Sequence, residues 1–169
     1  MSVVLPEYVE VARMVQARRS FQGSIPLAAM PRLCDSLAAT EGAARYDLEF
    51  GVDEMGTGSL SLHVEACLPL VCQRTLDIYI QPVSVDQRLG LVADENDEAA
   101  LPEGCEAVLV VDGRLRLRDV IEDELILALP LIPISPGDPL RYSAGPAADA
   151  DDGSVPDSPF AVLDRLKQH

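Results

Sequence analysis

The sequence predicts an α+β fold, in which an antiparallel β-sheet, arranged as a meander or a barrel, packs with a few helices. Polar and apolar residues alternate through the middle of the chain, from about residue 44 to 111. Apolar residues recur at helical spacing on both sides of that region, and turn residues separate the segments. With 169 residues, the chain fits one domain of ordinary size. We expect this domain to cover residues 1–140.

A helix is predicted before the sheet, over residues 26–39. Its apolar spacing comes from Met30, Leu33, Cys34 and Leu37. Pro26 or Pro31 suits a first helical turn, where the missing N–H does no harm. The preceding residues 1–24 are basic on balance, and the sequence leaves open whether this arm packs or reaches outward.

Three segments alternate with a period of two, which predicts strands with one buried and one solvated face. They are residues 46–50, 60–66 and 75–80. The glycines around Thr57 predict a turn between the first two, as in an antiparallel meander. Another strand is predicted over residues 107–111, before the turn signal Asp112-Gly113. The acidic run that precedes this strand, residues 94–106, is typical of a solvated loop.

A second helix is predicted after this turn and ends before Pro130. One face carries Leu115, Leu117, Val120, Ile121, Leu125, Ala128 and Leu129. Asp119, Glu122 and Asp123 are expected on the opposite, solvent-facing side. This acidic side is a candidate surface for binding a basic partner.

The end of the chain differs in composition. Residues 141–157 are rich in Ala, Gly, Pro and Asp, which predicts a flexible acidic linker. Residues 158–169 predict a short amphipathic helix with a capping Ser158 and an apolar stripe of Phe160, Leu163 and Leu166. Such a helix must dock on its own domain or on a partner.

The charge balance narrows the functions that this chain can have. It carries 28 acidic and 13 basic residues, for a formal net charge of −15. Proteins that bind nucleic acid over a broad surface need a basic balance, so any RNA contact here must be local. An acidic body suits basic protein partners, and ribosomal proteins are the most abundant of these in a cytoplasm.

The chain is expected to be cytoplasmic and soluble. Its N-terminus lacks the basic and apolar regions of a signal peptide, and no apolar run approaches the roughly 20 residues that cross a bilayer. The four cysteines have no repeated spacing, which indicates reduced, partly buried thiols.

Five stretches resemble one protein family, in the family's order and over nearly the whole chain. They are residues 18–23, 72–74, 100–103, 120–133 and 159–163. The most specific is the acidic Glu122-Asp123-Glu124 followed by L-I-L-A-L-P. The chain is similar to the bacterial large ribosomal RNA subunit accumulation protein family, YceD. The resemblance implies a role in the synthesis, processing or stability of the large-subunit ribosomal RNA, and therefore in ribosome biogenesis.

The chain departs from many of its relatives in its cysteines. Relatives carry a Cys-x-x-Cys where this chain has Cys72-Gln73-Arg74-Thr75, and some add cysteines where it has Ser135-Pro136-Gly137. A four-thiolate zinc site needs four sulfurs, and this chain keeps one of them. We therefore expect no metal or other cofactor, and packing in place of any metal site.

The clustered carboxylates Glu122, Asp123 and Glu124 admit a rival interpretation, a metal-dependent RNA-processing enzyme. Consecutive helical residues point about 100° apart, so the three do not converge on one cation without other ligands. His63 lies within an alternating strand without a catalytic companion. We expect no catalytic residue and no small-molecule substrate, but a protein that binds a basic ribosomal protein or a precursor of the large-subunit ribosomal RNA.

Direct RNA binding is a third hypothesis, and it rests on arginines. Arg114, Arg116 and Arg118 share one face if their segment is extended, although Arg118 and Glu122 also have the spacing of a helical ion pair. The other candidates are Arg18 and Arg19 beside Phe21, and Arg74. The alternative for Arg18 and Arg19 is that both are solvated and that the neighbouring Phe21 is buried.

Overall fold

Five strands form one open sheet, in the order β2-β3-β4-β5-β6, in a computed structural model that describes residues 5–137. The strands are β2 (Ser20–Pro26), β3 (Ala43–Val52), β4 (Gly58–Val71), β5 (Ile78–Val92) and β6 (Glu106–Leu109). The pairs from β2 to β5 are antiparallel, and β6 joins β5 in parallel. The predicted α+β fold with an antiparallel meander is confirmed, and the sheet does not close into a barrel.

A second, two-stranded sheet ties the N-terminal arm to the rest of the described chain. Its strands are β1 (Val9–Glu10) and β7 (Arg114–Leu115), which pair antiparallel. The three α-helices of the described chain are α1 (Val11–Gln16), α2 (Pro31–Cys34) and α3 (Leu117–Leu127), and two 3-10 turns cover Leu27–Ala29 and Glu95–Ala100. The arm therefore packs, through β1 and through β2 at the edge of the main sheet.

The core lies on one face of the main sheet and is mostly aliphatic. In β4, Leu60, Leu62 and Val64 are at most 2% exposed, and the residues between them face solvent or are half-buried. This alternation follows from the pleat, which turns successive side chains to opposite faces. The buried face of α3, which includes Leu117, Ile121 and Leu125, completes the core.

The outer face of the sheet is polar. His63 pairs across the strands with Asp47 on one side and Asp86 on the other. Its Nδ1 lies 2.7 Å from Asp86 Oδ1, and this hydrogen bond raises the pKa of the imidazole.

The predicted helix over residues 26–39 is wrong in length. Pro26 ends β2, the 3-10 turn follows, and the only α-helical residues are Pro31–Cys34. Proline disfavours the helical conformation of the residue before it, and Met30 accordingly has φ −116° and ψ 83°. Pro31 therefore starts a new short helix and does not continue an existing one.

Other predicted boundaries shift by a few residues. The strand predicted over residues 75–80 begins only at Ile78, because a turn precedes it in which Leu76 N donates to Cys72 O. Residues 72–74, one of the stretches that resemble the family, follow the end of β4. The second predicted helix begins at Leu117, and Leu115 lies on β7.

Two predictions concern residues that the structure does not describe, namely the linker over 141–157 and the helix over 158–169. The domain bounds of 1–140 likewise extend beyond the described residues and stay a prediction. Among the helices of residues 5–137, none combines the length and the apolar composition needed to cross a membrane.

One leucine of the acidic loop between β5 and β6 packs against β5. Leu101 packs directly over Gly90, where an added Cβ would lie 2.7 Å from Leu101 Cδ1. We expect Gly90→Ala to displace Leu101 and to speed amide hydrogen exchange in the loop, while exchange in the core strands stays slow. Mass-spectrometric hydrogen exchange measures both.

Gly51→Ala is the matched control for this prediction. Gly51 also lies in a strand, and a Cβ there would make only an ordinary contact, 3.5 Å from Ser59 Oγ. Unchanged exchange of the loop in Gly90→Ala would show that Leu101 is not its anchor.

Candidate partner-binding surface

Glu122 is buried, so the expectation that it faces solvent beside Asp119 and Asp123 is wrong. Its side chain is 2% exposed. Arg32 donates to Glu122 Oε2 through Nε at 3.2 Å and Nη2 at 3.1 Å, and Leu33 N donates to Oε1 at 3.1 Å. Leu33 N–H lies in the first turn of α2, where backbone donors lack partners within the helix. Glu122 therefore joins α2 to α3.

The exposed acidic side of α3 consists of Asp119 and Asp123. Asp123, with 53% of its side chain exposed, pairs with Arg32 Nη1. Asp119 accepts from Arg116 Nη1 at 3.4 Å and lies 3.6 Å from Arg118 Nε. The predicted helical ion pair between Arg118 and Glu122 is thus replaced by a pair with Asp119.

The three alternating arginines do not share one face. Arg114 lies on β7, and Arg116 follows that strand in an extended conformation. Arg118, in contrast, lies within α3. Arg116 is held in place by its neighbours. Its Nη2 donates to Glu7 at 2.8 Å, its Cζ lies 4.8 Å from the centre of the Tyr8 ring, and the bond to Glu7 raises its pKa.

A groove of about 600 Å³ runs between β6, the β6–β7 turn and the first half of α3. Its apolar lining includes Val108, Leu109, Val111 and Val120. Its carboxylates are Asp112, Asp119 and Asp123, and its cations are Arg114 and Arg116. Leu109 and Val111 are 45% and 63% exposed, so apolar surface is open to a partner here.

One buried carboxyl group lies beside Asp123 of this groove. Glu124 is 7% exposed. Burial raises the pKa of its carboxyl group, and the nearby carboxylates of Glu106 and Asp123 raise it further. Both effects favour the neutral form of Glu124.

The structure spreads the remaining RNA-contact candidates over other elements. Arg18 and Arg19 are exposed in the turn between α1 and β2, whereas Phe21 is half-buried and packs edge-on against Phe50 with ring centres 6.3 Å apart. Phe21 thus supports the core, as in the alternative interpretation. Arg74 is half-buried, and its Nη2 donates to Ser135 O at 3.3 Å.

The two stretches where the resemblance implied cysteines in relatives lie against each other. Ser135 N and Oγ lie 3.3 and 3.4 Å from Cys72 Sγ and donate to it. Gln73 N also donates to Pro133 O at 2.8 Å. Hydrogen bonds therefore connect the turn after β4 to the segment after α3.

The carboxylates of the acidic motif do not form a metal centre. Glu122 and Asp123 bind Arg32, and Glu124 is buried on α3. Within residues 5–137, no three side chains of His, Cys, Asp or Glu are grouped to hold a metal ion. Glu122 and Asp123 instead connect α3 to α2 through Arg32.

Comparison with known proteins identifies one family. A profile described as "Large ribosomal RNA subunit accumulation protein YceD" matches residues 60–167. The protein of that name from Haemophilus influenzae is 31% identical over 173 residues, and the alignment covers 98% of each chain. No solved structure matches the chain. The family is named for the accumulation of an RNA and not for a reaction.

Proposed function

Because the chain belongs to the family of the large ribosomal RNA subunit accumulation protein YceD, we propose that it promotes accumulation of the large-subunit ribosomal RNA in the cytoplasm as a non-enzymatic binding factor. Its partner is a basic ribosomal protein, bound alone or within an intermediate that contains precursor RNA. The family name supports the process, and the charge of the surface supports the kind of partner.

The observation that carries the partner assignment is the groove beside α3. It combines exposed apolar side chains with the carboxylates of Asp112, Asp119 and Asp123. A net charge of −15 attracts basic proteins at long range and repels RNA phosphates. Apolar contact then supplies affinity, and complementary charge supplies orientation and speed of association.

The rival functions have less support from the geometry. An RNA-processing enzyme needs carboxylates that are free to hold a metal, whereas Glu122 and Asp123 bind Arg32. A direct RNA contact at the alternating arginines needs Arg116, which already binds Glu7 and Asp119.

Removal of the protein from its cell tests the proposal. We expect the ratio of large- to small-subunit ribosomal RNA to fall, and the protein to sediment with precursors of the large subunit in gradients. Restoration with Asp112→Asn/Asp119→Asn should be weaker than with the wild-type chain. An unchanged ratio, with the protein entirely in the light fractions, contradicts the proposal.

Glu54→Gln/Asp77→Asn is the matched control, because it removes the same charge from exposed positions outside the groove. It should restore the RNA ratio as well as the wild-type chain does. Incubation of the purified protein with precursor RNA and magnesium tests the enzymatic rival. Cleavage that disappears in Asp123→Asn would favour that rival.

A further inference from the structure

Strand β6 leaves one edge free among the described residues. It pairs only with β5, and Val110 N, just beyond β6, donates to Val92 O at 2.8 Å. Backbone groups alternate in direction along a strand, so those of Val108 and Val110 face β5. The N–H and C=O groups of Ala107 and Leu109 therefore point away from the sheet.

This edge is short, four residues in β6, but it lacks the proline and the lysine that often protect an edge strand. Edges are commonly blunted by proline, by lysine or by covering segments. Pro82 interrupts the long edge of β5 that β6 leaves uncovered. Between Glu106 and Val111 there is neither a proline nor a basic residue, and Leu109 and Val111 expose their side chains.

The charge around this edge is mostly negative, although Arg114 and Arg116 also line the neighbouring groove. Residues 89–113 contain seven acidic residues and no lysine or arginine. The acidic loop precedes β6, Asp112 follows it, and the groove with Asp119 and Asp123 lies alongside. Carboxylates would thus outnumber cations around a strand added at this edge.

We propose that β6 accepts an extended, lysine- or arginine-rich segment of a partner protein as a sixth strand of the main sheet. The backbone of the segment would bond to Ala107 and Leu109. One set of its alternating side chains packs on Leu109 and Val111, and its cationic side chains meet the surrounding carboxylates. This inference deepens the proposed function and rests on it for the identity of the partner as a basic protein.

A synthetic peptide of alternating valine and arginine is the probe, with fluorescence anisotropy as the measurement. We expect binding that weakens as salt rises, because the cationic side chains pair with carboxylates. A second peptide with a methyl group on every backbone nitrogen keeps the side chains but cannot donate to a strand. It should bind about tenfold more weakly or worse.

Leu109→Pro is the corresponding change in the protein. It removes the outward N–H of Leu109 and leaves the bonds of Val108 and Val110 to β5, and edge strands tolerate proline. We expect about a tenfold loss of affinity, whereas the control Leu109→Ala, which keeps the N–H, should lose less. Circular dichroism checks that each variant is folded.

Charge is tested separately. Asp112 has a positive φ of 51°, which asparagine adopts readily, so Asp112→Asn should fold and bind about twofold more weakly. Glu54→Gln, at an exposed residue in the turn between β3 and β4, should bind as the wild type does.

Two outcomes would overturn strand addition: no binding at low salt, or equal binding of the methylated and unmethylated peptides. Neither outcome would contradict the proposed function, which the ratio of the ribosomal RNAs tests separately. Conversely, peptide binding with normal RNA levels in cells that lack the protein overturns the proposed function and leaves the strand-binding edge intact.

Discussion

Glu122→Ala is expected to lower the free energy of unfolding by about 2–4 kcal/mol. The substitution removes the acceptor of Leu33 N and two hydrogen bonds from Arg32. Arg32 is 51% exposed and regains water, which limits its share of the loss. The buried N–H of Leu33 has no such replacement, so the larger part of the cost arises there.

Asp123→Asn is the matched control, since Asp123 is adjacent on α3 and also binds Arg32. Its side chain is 53% exposed, and the expected loss is below about 1 kcal/mol. Chemical denaturation of both variants measures the difference. Equal losses in the two variants would contradict the role of Glu122 as a buried link between α2 and α3.

The role of Glu122 changes how the acidic motif is understood. The sequence placed Asp119, Glu122 and Asp123 together on one exposed side, because they lie opposite the apolar face of the predicted helix. The partner of Glu122 is Arg32, 90 residues earlier in the chain. A helical pattern cannot reveal that second contact, since it depends on where α2 packs.

The sequence pattern predicted those elements whose structure depends mainly on neighbouring residues in the chain. The alternation around Leu62 and Val64 gave the central strands because a half-buried strand needs a period of two. The same reasoning failed at Met30 and Pro31, where one proline ended a pattern that otherwise suited a long helix. Residues 1–24 show no clear period of apolar residues. The pairing of Val9 with Leu115 depends on the fold as a whole.

The candidate surface was predictable only in part. Asp119 and Asp123 were found from the sequence, whereas Tyr8, Arg32 and the free edge at Leu109 were not. That edge exists because β6 is the last strand of the sheet, and its parallel direction requires the acidic loop to cross over from β5. Composition showed that this loop is charged, but not that it delivers β6 beside α3.

The apolar face predicted for the second helix is buried at its centre, where Ile121 and Leu125 are fully buried. The helix was predicted to end before Pro130, and it ends at Leu127. Pro130 prevents its continuation, so the periodic pattern does not apply to Leu131 and Ile132, which are 102% and 65% exposed.

Cys72 is expected to titrate as a thiolate near pH 6 in the folded protein. Hydrogen bonds from the Ser135 hydroxyl, from Ser135 N–H and from Thr75 stabilise the charged sulfur and lower its pKa from 9.0 to about 6, although burial opposes this shift. The thiol is fully buried, so it should ionise without reacting quickly with alkylating reagents.

The effect on stability follows from the sign of this shift. The folded pKa lies below the unfolded one, so the contribution of Cys72 is complete above about pH 9 and is lost as the pH falls through about 6. Between these values the unfolded chain binds more protons than the folded chain, and stability rises with pH. In Cys72→Ser the free energy of unfolding should therefore depend less on pH over this interval.

The ultraviolet absorbance of the thiolate measures the titration directly, as the difference between the wild-type chain and Cys72→Ser. Ser135→Ala removes the hydroxyl donor and keeps the backbone donor, so the midpoint should move up while remaining below that of a free thiol. Cys67→Ser is the control, because Cys67 is exposed, and it should leave the midpoint in place. A midpoint that Ser135→Ala does not change would show that the hydrogen bonds from Ser135 do not hold the charge on Cys72.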